Sequence, residues 1–273
     1  MNSTLTLGDL IVAEYSDGVT MDAVDSPRPY VHAVRTLDGL VATDERPTDH
    51  HHHHGVSFAV PDVDGISYWG GRTFVRDVGS TLLDNHGVQR TISRTTDPDA
   101  IREELEWNGR DGGVQFSEQR RLEALVTESG WVLDWGSALT AVGDVSIGSP
   151  ATNGRDGAFY GGIFWRTPFA SATAIVESGV GETVAHGSAS PWLAVTTSHG
   201  SLVALGDGRP WFVRTEGYVG FGPALATRDR VRLAAGESLT ARLSVLVTDR
   251  ADLDVATASE MAAELQRVIQ DLG

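Results

Sequence analysis

Residues 120–139 read RRLEALVTESGWVLDWGSAL, and this stretch sets the fold class. Arg120 to Val126 and Trp131 to Leu139 are runs rich in leucine, valine and tryptophan. Glu128-Ser129-Gly130 between them supplies the small and polar residues of a tight reversal. Two such runs joined by such a turn make a β-hairpin. The same texture recurs outward along the chain. Leu193 to Val195 and Leu202 to Leu205 flank the turn His199-Gly200, and Trp211 to Val213 leads into the glycine-rich Gly217 to Gly222. Val231 to Leu233 and Leu239 to Val247 flank Ala235-Gly236-Glu237 and read as a further hairpin. The segment Ile101 to Trp107 reads two ways: Asp97-Pro98 could start a short helix, whereas Ile101, Leu105 and Trp107 also fit one face of a strand, and the turns Asn108-Gly109 and Gly112-Gly113 just behind favour a strand in a hairpin. The 31 glycines against 10 prolines suit many tight reversals better than long helices.

One helix closes the chain. Thr257 and Glu260 have capping-box spacing. Met261, Leu265, Val268, Ile269 and Leu272 follow at helical intervals, so residues 256–272 are predicted to dock one apolar stripe on a sheet. No repeat, linker or composition shift divides the sequence. The expectation is an all-β protein: one antiparallel β-sandwich domain over residues 1–273, ending in that docking helix.

Composition narrows the chemistry. The 273 residues carry 37 acidic and 21 basic side chains, a formal charge of −16; every basic residue is arginine, and cysteine is absent. This charge repels phosphate backbones and anionic membranes, so no nucleic-acid and no membrane partner is expected. Without lysine there is no Schiff-base or Walker-type lysine chemistry. Without cysteine there are no disulfides, zinc–thiolate sites, iron–sulfur clusters or thiol nucleophiles. No window approaches the roughly 18 apolar residues of a spanning helix. The first residues, MNSTLTLGDLIVAEYSDG, lack the basic and apolar regions of a secretory signal, so the expected location is cytoplasmic. No Gly-x-Ser-x-Gly elbow is present, and no carboxylate spacing singles out a glycosidase-like pair. Chemistry must rest on histidine, arginine and carboxylate.

The histidines cluster in one place. Asp49 is followed by His50, His51, His52, His53 and His54, then by Gly55 and the apolar Val56 to Val60. If the run is extended, side chains alternate, and His50, His52 and His54 share one side. Imidazoles two residues apart on one face can chelate a metal, or place an acid and a base about one substrate. Two histidines do not complete a site; His32, His86, His186 and His199 are the candidates for a third. His86 stands out within the polar triplet Asn85-His86-Gly87, whereas His186 and His199 sit beside glycine and read as turn residues. Trp69, Trp165, Trp192 and Trp211 each sit beside glycine, proline or arginine. Aromatic faces near arginine suit sugar rings, although each of these tryptophans also fits core packing.

An ordered series of motifs carries a resemblance. It comprises Arg28-Pro29-Tyr30-Val31-His32-Ala33-Val34-Arg35-Thr36; Asp49-His50 with His52-His53 and Gly55; Asp62-Val63-Asp64-Gly65 with Tyr68-Trp69; Tyr160-Gly161-Gly162-Ile163-Phe164-Trp165-Arg166; Ser190-Pro191-Trp192-Leu193; and Trp211-Phe212-Val213-Arg214. Over about Pro27 to Val247 the chain resembles the PmoA-like family of bacterial proteins. The resemblance implies a β-sandwich similar to the galactose-mutarotase supersandwich and an association with sugar-oxidising dehydrogenases. In that pattern, Asp-His-x-His-His-x-Gly, His50, His52 and His53 match while His51 and His54 fall on variable positions.

The reading that follows is an enzyme acting on a small carbohydrate or keto-sugar derivative. It would remove a proton beside a carbonyl, giving β-elimination (a lyase) or epimerisation (an isomerase). His50, His52, His53 and His86 are the candidate catalytic residues, with His50 or His52 as base and His86 as acid or metal ligand. Arg35, Arg72 and Arg166 are candidates for binding hydroxyls or an enolate, and Trp69, Tyr160 or Trp165 for contacting the sugar ring. A divalent metal on His50, His52 and His86 would instead polarise the carbonyl. Two other classes stay open: a non-catalytic sugar-binding sandwich, and a metal-dependent hydrolase or oxygenase with a histidine triad.

Overall fold

The predicted hairpin forms in full register. In the computed structural model, which describes residues 2–271, strands Val114–Val126 and Trp131–Ala141 pair antiparallel from Phe116↔Ala141 to Val126↔Trp131. They sit inside a nine-stranded sheet. Its order is Gly179–Val180, Thr173–Val176, Trp192–Thr196, Ser201–Leu205, Ser238–Thr248, Trp131–Ala141, Val114–Val126, Ala100–Asn108 and Val88–Thr96. A seven-stranded sheet has the order Ser3–Leu7, Leu10–Ser16, Tyr30–Val34, Val56–Ala59, Gly162–Arg166, Gly220–Pro223 and Trp211–Arg214. Neighbours in both sheets run antiparallel.

Period-two alternation builds the core between these sheets. Val56, Phe58, Ile163, Trp165, Trp211, Val213 and Phe221 from the smaller sheet join Leu122, Leu133, Trp135, Leu243 and Val245 from the larger in one buried cluster. Each fully buried side chain of this kind contributes about 1.5–3 kcal/mol. The tryptophans among them also find acceptors, Trp165 Nε1 donating to the Ala42 carbonyl at 2.8 Å and Trp131 Nε1 to the Arg35 carbonyl at 2.7 Å.

The nine-stranded sheet is covered on its other face as well. Helix Val255–Gln270 lays Ala258, Met261, Ala262 and Leu265 on Val132, Ile175, Ala194, Val203 and Leu246, with Val268 and Ile269 packed against the edge of the cluster. The helix starts earlier than its capping-box spacing suggests. Asp254 is the N-cap, and its carboxylate accepts from the Thr257 backbone N–H at 2.8 Å. The expected contact of Leu272 lies outside the described residues.

Of the further hairpin readings three hold, Trp211–Arg214 pairing with Gly220–Pro223 among them, and one fails. Trp192–Thr196 pairs with Ser201–Leu205, and Ala100–Asn108 pairs with Val114–Val126. Val231–Leu233, however, pairs with Val145–Gly148 in a small three-stranded sheet, while Ser238–Thr248 lies between Trp131–Ala141 and Ser201–Leu205. An eleven-residue strand completes more ladder bonds and buries more apolar surface against a partner of its own length than against a three-residue neighbour across a turn. No described helix is long and apolar enough to cross a membrane.

Candidate functional site

On the face of the seven-stranded sheet turned away from the core, alternation exposes a different set of residues. Gly162–Arg166 sends Ile163 and Trp165 inward, so Phe164 and Arg166 point out; Trp211–Arg214 likewise sends out Phe212 and Arg214. Phe164 and Phe212 join Ala59, Trp69 and Ala224 in a second apolar cluster, flanked by Phe159, Tyr160 and Tyr218. The histidine run lies over this floor.

The run is a pair of turns and does not extend. The Arg46 N–H donates to the His53 carbonyl and the Gly55 N–H to the Asp44 carbonyl, so 44–46 and 53–55 form two short antiparallel legs. Between them the His50 N–H donates to Pro47 and the His53 N–H to His50. The expected sharing of one face by His50, His52 and His54 therefore fails. His50 stacks on His53 with ring centroids 4.6 Å apart; His52 lies 5.6 Å from His50 and 4.7 Å from His53. His53 is the centre, also touching Trp69, Phe164 and Tyr218. His54 turns the other way, against Tyr30 and 3.7 Å from the Glu45 carboxylate, and His51 is exposed. Gly55 makes this path possible: at φ +42° it passes so close to Val31 that an added Cβ would sit 1.9 Å from the Val31 carbonyl oxygen.

Charge organisation distinguishes His50 from its neighbours. The His50 Nδ1–H donates to Asp49 Oδ2 at 2.8 Å, and Arg166 Nη2 donates to Asp49 Oδ1 at 3.1 Å. Burial raises the Asp49 carboxyl, but the His50 hydrogen bond and the Arg166 charge outweigh it and hold the group below its ordinary value. An ionised Asp49 fixes the tautomer with the proton on Nδ1, which leaves the His50 Nε2 lone pair available. Arg166 is 5% exposed, and its guanidinium carbon lies 4.7 Å over the Tyr218 ring. Its Nε and Nη1 groups are buried without a hydrogen-bond partner among the described residues.

His52 and His53 are neutral imidazoles. Burial, followed by the Arg28 charge, pushes His52 down to about 3. Burial, followed by the charge of His52, holds His53 well below the ordinary histidine value, and its Nδ1 is buried and unpartnered. Arg28, which is fully buried, braces the turn: Nη2 donates to the His52 carbonyl at 2.7 Å, Nη1 to the carbonyls of Asp25 and Ser26, and Nε to Ser57 Oγ.

The other predicted residues divide cleanly. Trp69 and Tyr160 belong to the site, their rings 4.6 Å apart, and with Arg72 they edge a small recess that also includes Asp62 and Asn153. Trp165 does not belong: it is fully buried in the inner core and stacks on Phe221, because a residue next to Arg166 on a strand must face the opposite way. Arg35 does not belong either; its side chain pairs with Glu14 at 3.3 Å on the strand Leu10–Ser16. Arg72 is exposed and donates to the Ser80 carbonyl. His86 reaches the cluster only through Gly71. Its Nε2–H donates to the Gly71 carbonyl at 2.8 Å, while the His52 ring lies against the other side chain-less surface of that glycine. No ring contact joins His86 to His50, His52 or His53 among the described residues, and no group of three histidine or carboxylate side chains there is spaced to hold a metal ion. Asp49, Tyr218, Phe164, Phe212 and Arg28 are the site residues that the sequence reading did not select. Asp49 was marked only by its place at the head of the run.

Residues 2–263 match a protein family described as a family of unknown function (DUF6807), and the chain belongs to that family. The match lends no support to the PmoA-like assignment. No curated protein matches the chain. Among solved structures, the "putative aldose 1-epimerase" of Escherichia coli K12 is 12% identical with a TM-score of 0.46, covering 92% of this chain and 99% of that one. A galactose mutarotase-like protein from Lactobacillus casei is 8% identical with a TM-score of 0.45, covering 90% and 100%. A galactose mutarotase related enzyme from Lactobacillus acidophilus is 11% identical with a TM-score of 0.43, covering 93% and 100%. The galactose-mutarotase-like part of the resemblance is thus present among the structural neighbours; no activity is carried over from them.

Proposed function

We propose that this member of the DUF6807 family is an enzyme that moves a proton on a sugar or keto-sugar derivative, with His50 as the base. The observation that carries the reading is the chain Arg166–Asp49–His50 set beside the aromatic floor of Trp69, Tyr160 and Tyr218. Asp49 orients the imidazole and stabilises the imidazolium formed on protonation, and Arg166 keeps Asp49 ionised. The proton beside a carbonyl would pass to His50 Nε2, and its electron pair to the carbonyl oxygen as an enolate. Collapse of the enolate expels the β-alkoxy group, which takes the proton from the His50 imidazolium and leaves as an alcohol, giving elimination; delivery of a solvent proton to the opposite face, with His50 returning its own proton to water, gives an epimer.

His52 and His53 have a different part in this scheme. Held neutral, they are poor bases at neutral pH but good N–H donors to a sugar oxygen. The Nε and Nη1 nitrogens of Arg166, of which Nε has the Asp44 carboxylate no nearer than 3.9 Å, support the same reading: a buried donor without a hydrogen-bond partner costs about 1–3 kcal/mol, which an acceptor from a substrate would offset. A ketone-bearing sugar is what a sugar-oxidising dehydrogenase produces, so that reaction class would supply the substrate.

Incubation of the protein with 3-keto-glycosides in heavy water tests the reading. Deuterium is expected to enter beside the ketone, faster than in buffer, and the enhancement is expected to vanish in Asp49→Asn. Binding of the sugar without exchange or glycone release would reject catalysis and leave a sugar-binding protein.

A further inference from the structure

A second cavity opens at the far end of the aromatic floor. It measures about 580 Å³ and is bounded by Asp156, Gly157, Phe159, Gly187, Pro210 and Arg228, together with Ala151 and Thr227. That volume falls within the range of about 300–1,000 Å³ usual for small-molecule sites. Phe159 links it to the histidine site. Its ring meets Phe212 at 5.8 Å, Phe212 meets Phe164 at 6.3 Å, and Phe164 meets His53 at 5.3 Å.

The cavity has a built wall. His186 stacks under Phe159 with centroids 4.4 Å apart; its Nε2–H donates to the Gly157 carbonyl at 3.0 Å, and its Nδ1 accepts from the Val213 N–H at 3.2 Å. Both ring nitrogens are thereby used in holding Phe159 and Gly157 in place. Gly157 at φ +70° and Gly187 at φ +80° present bare backbone beside the ring. At the rim stand Arg228 and Asp156, both exposed and neither in a hydrogen bond or ion pair among the described residues.

We propose that this cavity is a binding subsite for a neutral sugar ring, a unit of a glycoside distal to the first unit, which lies at His50. An aromatic face packs on the C–H surface of a pyranose. One guanidinium and one carboxylate supply donors and acceptors for hydroxyls, and their opposite charges cancel, which disfavours an anionic ring. The assignment of the first unit rests on the proposed function; the subsite itself does not.

Titration of ¹⁵N-labelled protein with the unreactive disaccharides cellobiose, maltose and lactose, read by amide shifts, tests this directly. The expected result is saturable shifts at Gly157, Gly187 and Phe159 for at least one of the three. Arg228→Gln and Asp156→Asn, exposed changes that leave the fold intact, should each weaken that binding about tenfold or less, and Phe159→Ala should abolish it. Shifts confined to His50–His53, or no shifts at all, overturn the subsite. Shifts at the cavity in a protein that never exchanges a substrate proton uphold the subsite and reject the proposed catalysis.

Discussion

The two faces of the seven-stranded sheet are made from the same strands by the same alternation, yet they serve opposite ends. On the inner face Val56, Phe58, Ile163, Trp165 and Phe221 meet the larger sheet and are closed to solvent. On the outer face Phe164, Arg166 and Phe212 alternate with them and meet only loops, among them the histidine turn. The inner face is satisfied: Trp165 has both its apolar neighbours and an acceptor for its N–H. The outer face keeps unmet capacity, in Arg166 Nε and Nη1 and in His53 Nδ1. Buried polar groups are normally paired, and three of the seven buried side-chain atoms left without a partner among the described residues gather here, the other four belonging to His54, Asn108 and Thr127, so this face is one place where the chain spends stability on something other than folding.

The largest effect that separates the faces is expected at His50. His50→Gln keeps a hydrogen bond to Asp49 but cannot take a proton, and the exchange rate with a keto-glycoside should fall by about 10²- to 10⁴-fold. The thermal midpoint should barely move, since the His50 side chain is 35% exposed. A rate within a few-fold of wild type would remove His50 from the chemistry. The converse substitution is Trp165→Ala on the inner face, which should cost about 3–5 kcal/mol in denaturant unfolding. A loss below 1 kcal/mol, set against a cost of roughly 3–5 kcal/mol for cavity creation, would show that the inner face is not packed as described.

How much of this was legible follows from range. The hairpin at 120–139, the strand Ala100–Asn108 and the closing helix rest on neighbours a few residues apart, and the sequence carries those signals directly. Even the separation of Trp165 from Arg166 follows from period two, so placing both at one site contradicted a rule the sequence already contained. The histidine turn was not legible in this way. Its path depends on pairing of 44–46 with 53–55, which no alternating pattern marks, and on the close pass of Gly55 by Val31 and the Arg28 brace, each of which joins positions 24 apart in sequence. The convergence of Asp49 with Arg166 spans 117 positions and has no local signal. Only the motif resemblance grouped His50, His52 and His53, and it did so without a geometric reason.

Protonation probes the same contrast at a smaller scale. His52 and His54 titrate at about 3 in the fold against an ordinary 6.5, chiefly through burial and then through the Arg28 charge. Between those limits the unfolded chain binds protons that the folded chain does not, so stability falls as the pH drops from 6.5 toward 3. The slope is expected to reach about 1.4 kcal/mol per pH unit for each such histidine. Unfolding titrations at pH 7 and pH 5 measure it, and His54→Asn, which lies outside the proposed site, should flatten the dependence. An unchanged slope in that variant would mean that His54 is not buried neutral.

The smallest change is expected at Gly71, the point where His52 and His86 meet one glycine from different sides. At φ +69° an alanine there adds a left-handed strain of about 1–2 kcal/mol. Its Cβ would also fall 2.6 Å from His52 Nδ1. A ring can swing away from a methyl group where a backbone carbonyl cannot, so the site should adjust locally. Gly71→Ala should therefore cost about 1–2 kcal/mol in unfolding, shift the His52 ring resonances and leave those of His50 in place. Exchange should drop by no more than about tenfold, because the base and its carboxylate are undisturbed. If His50 resonances moved as far as those of His52, the two rings would be acting as one unit, and the division between a proton-transferring His50 and a neutral, substrate-facing His52 would have to be abandoned.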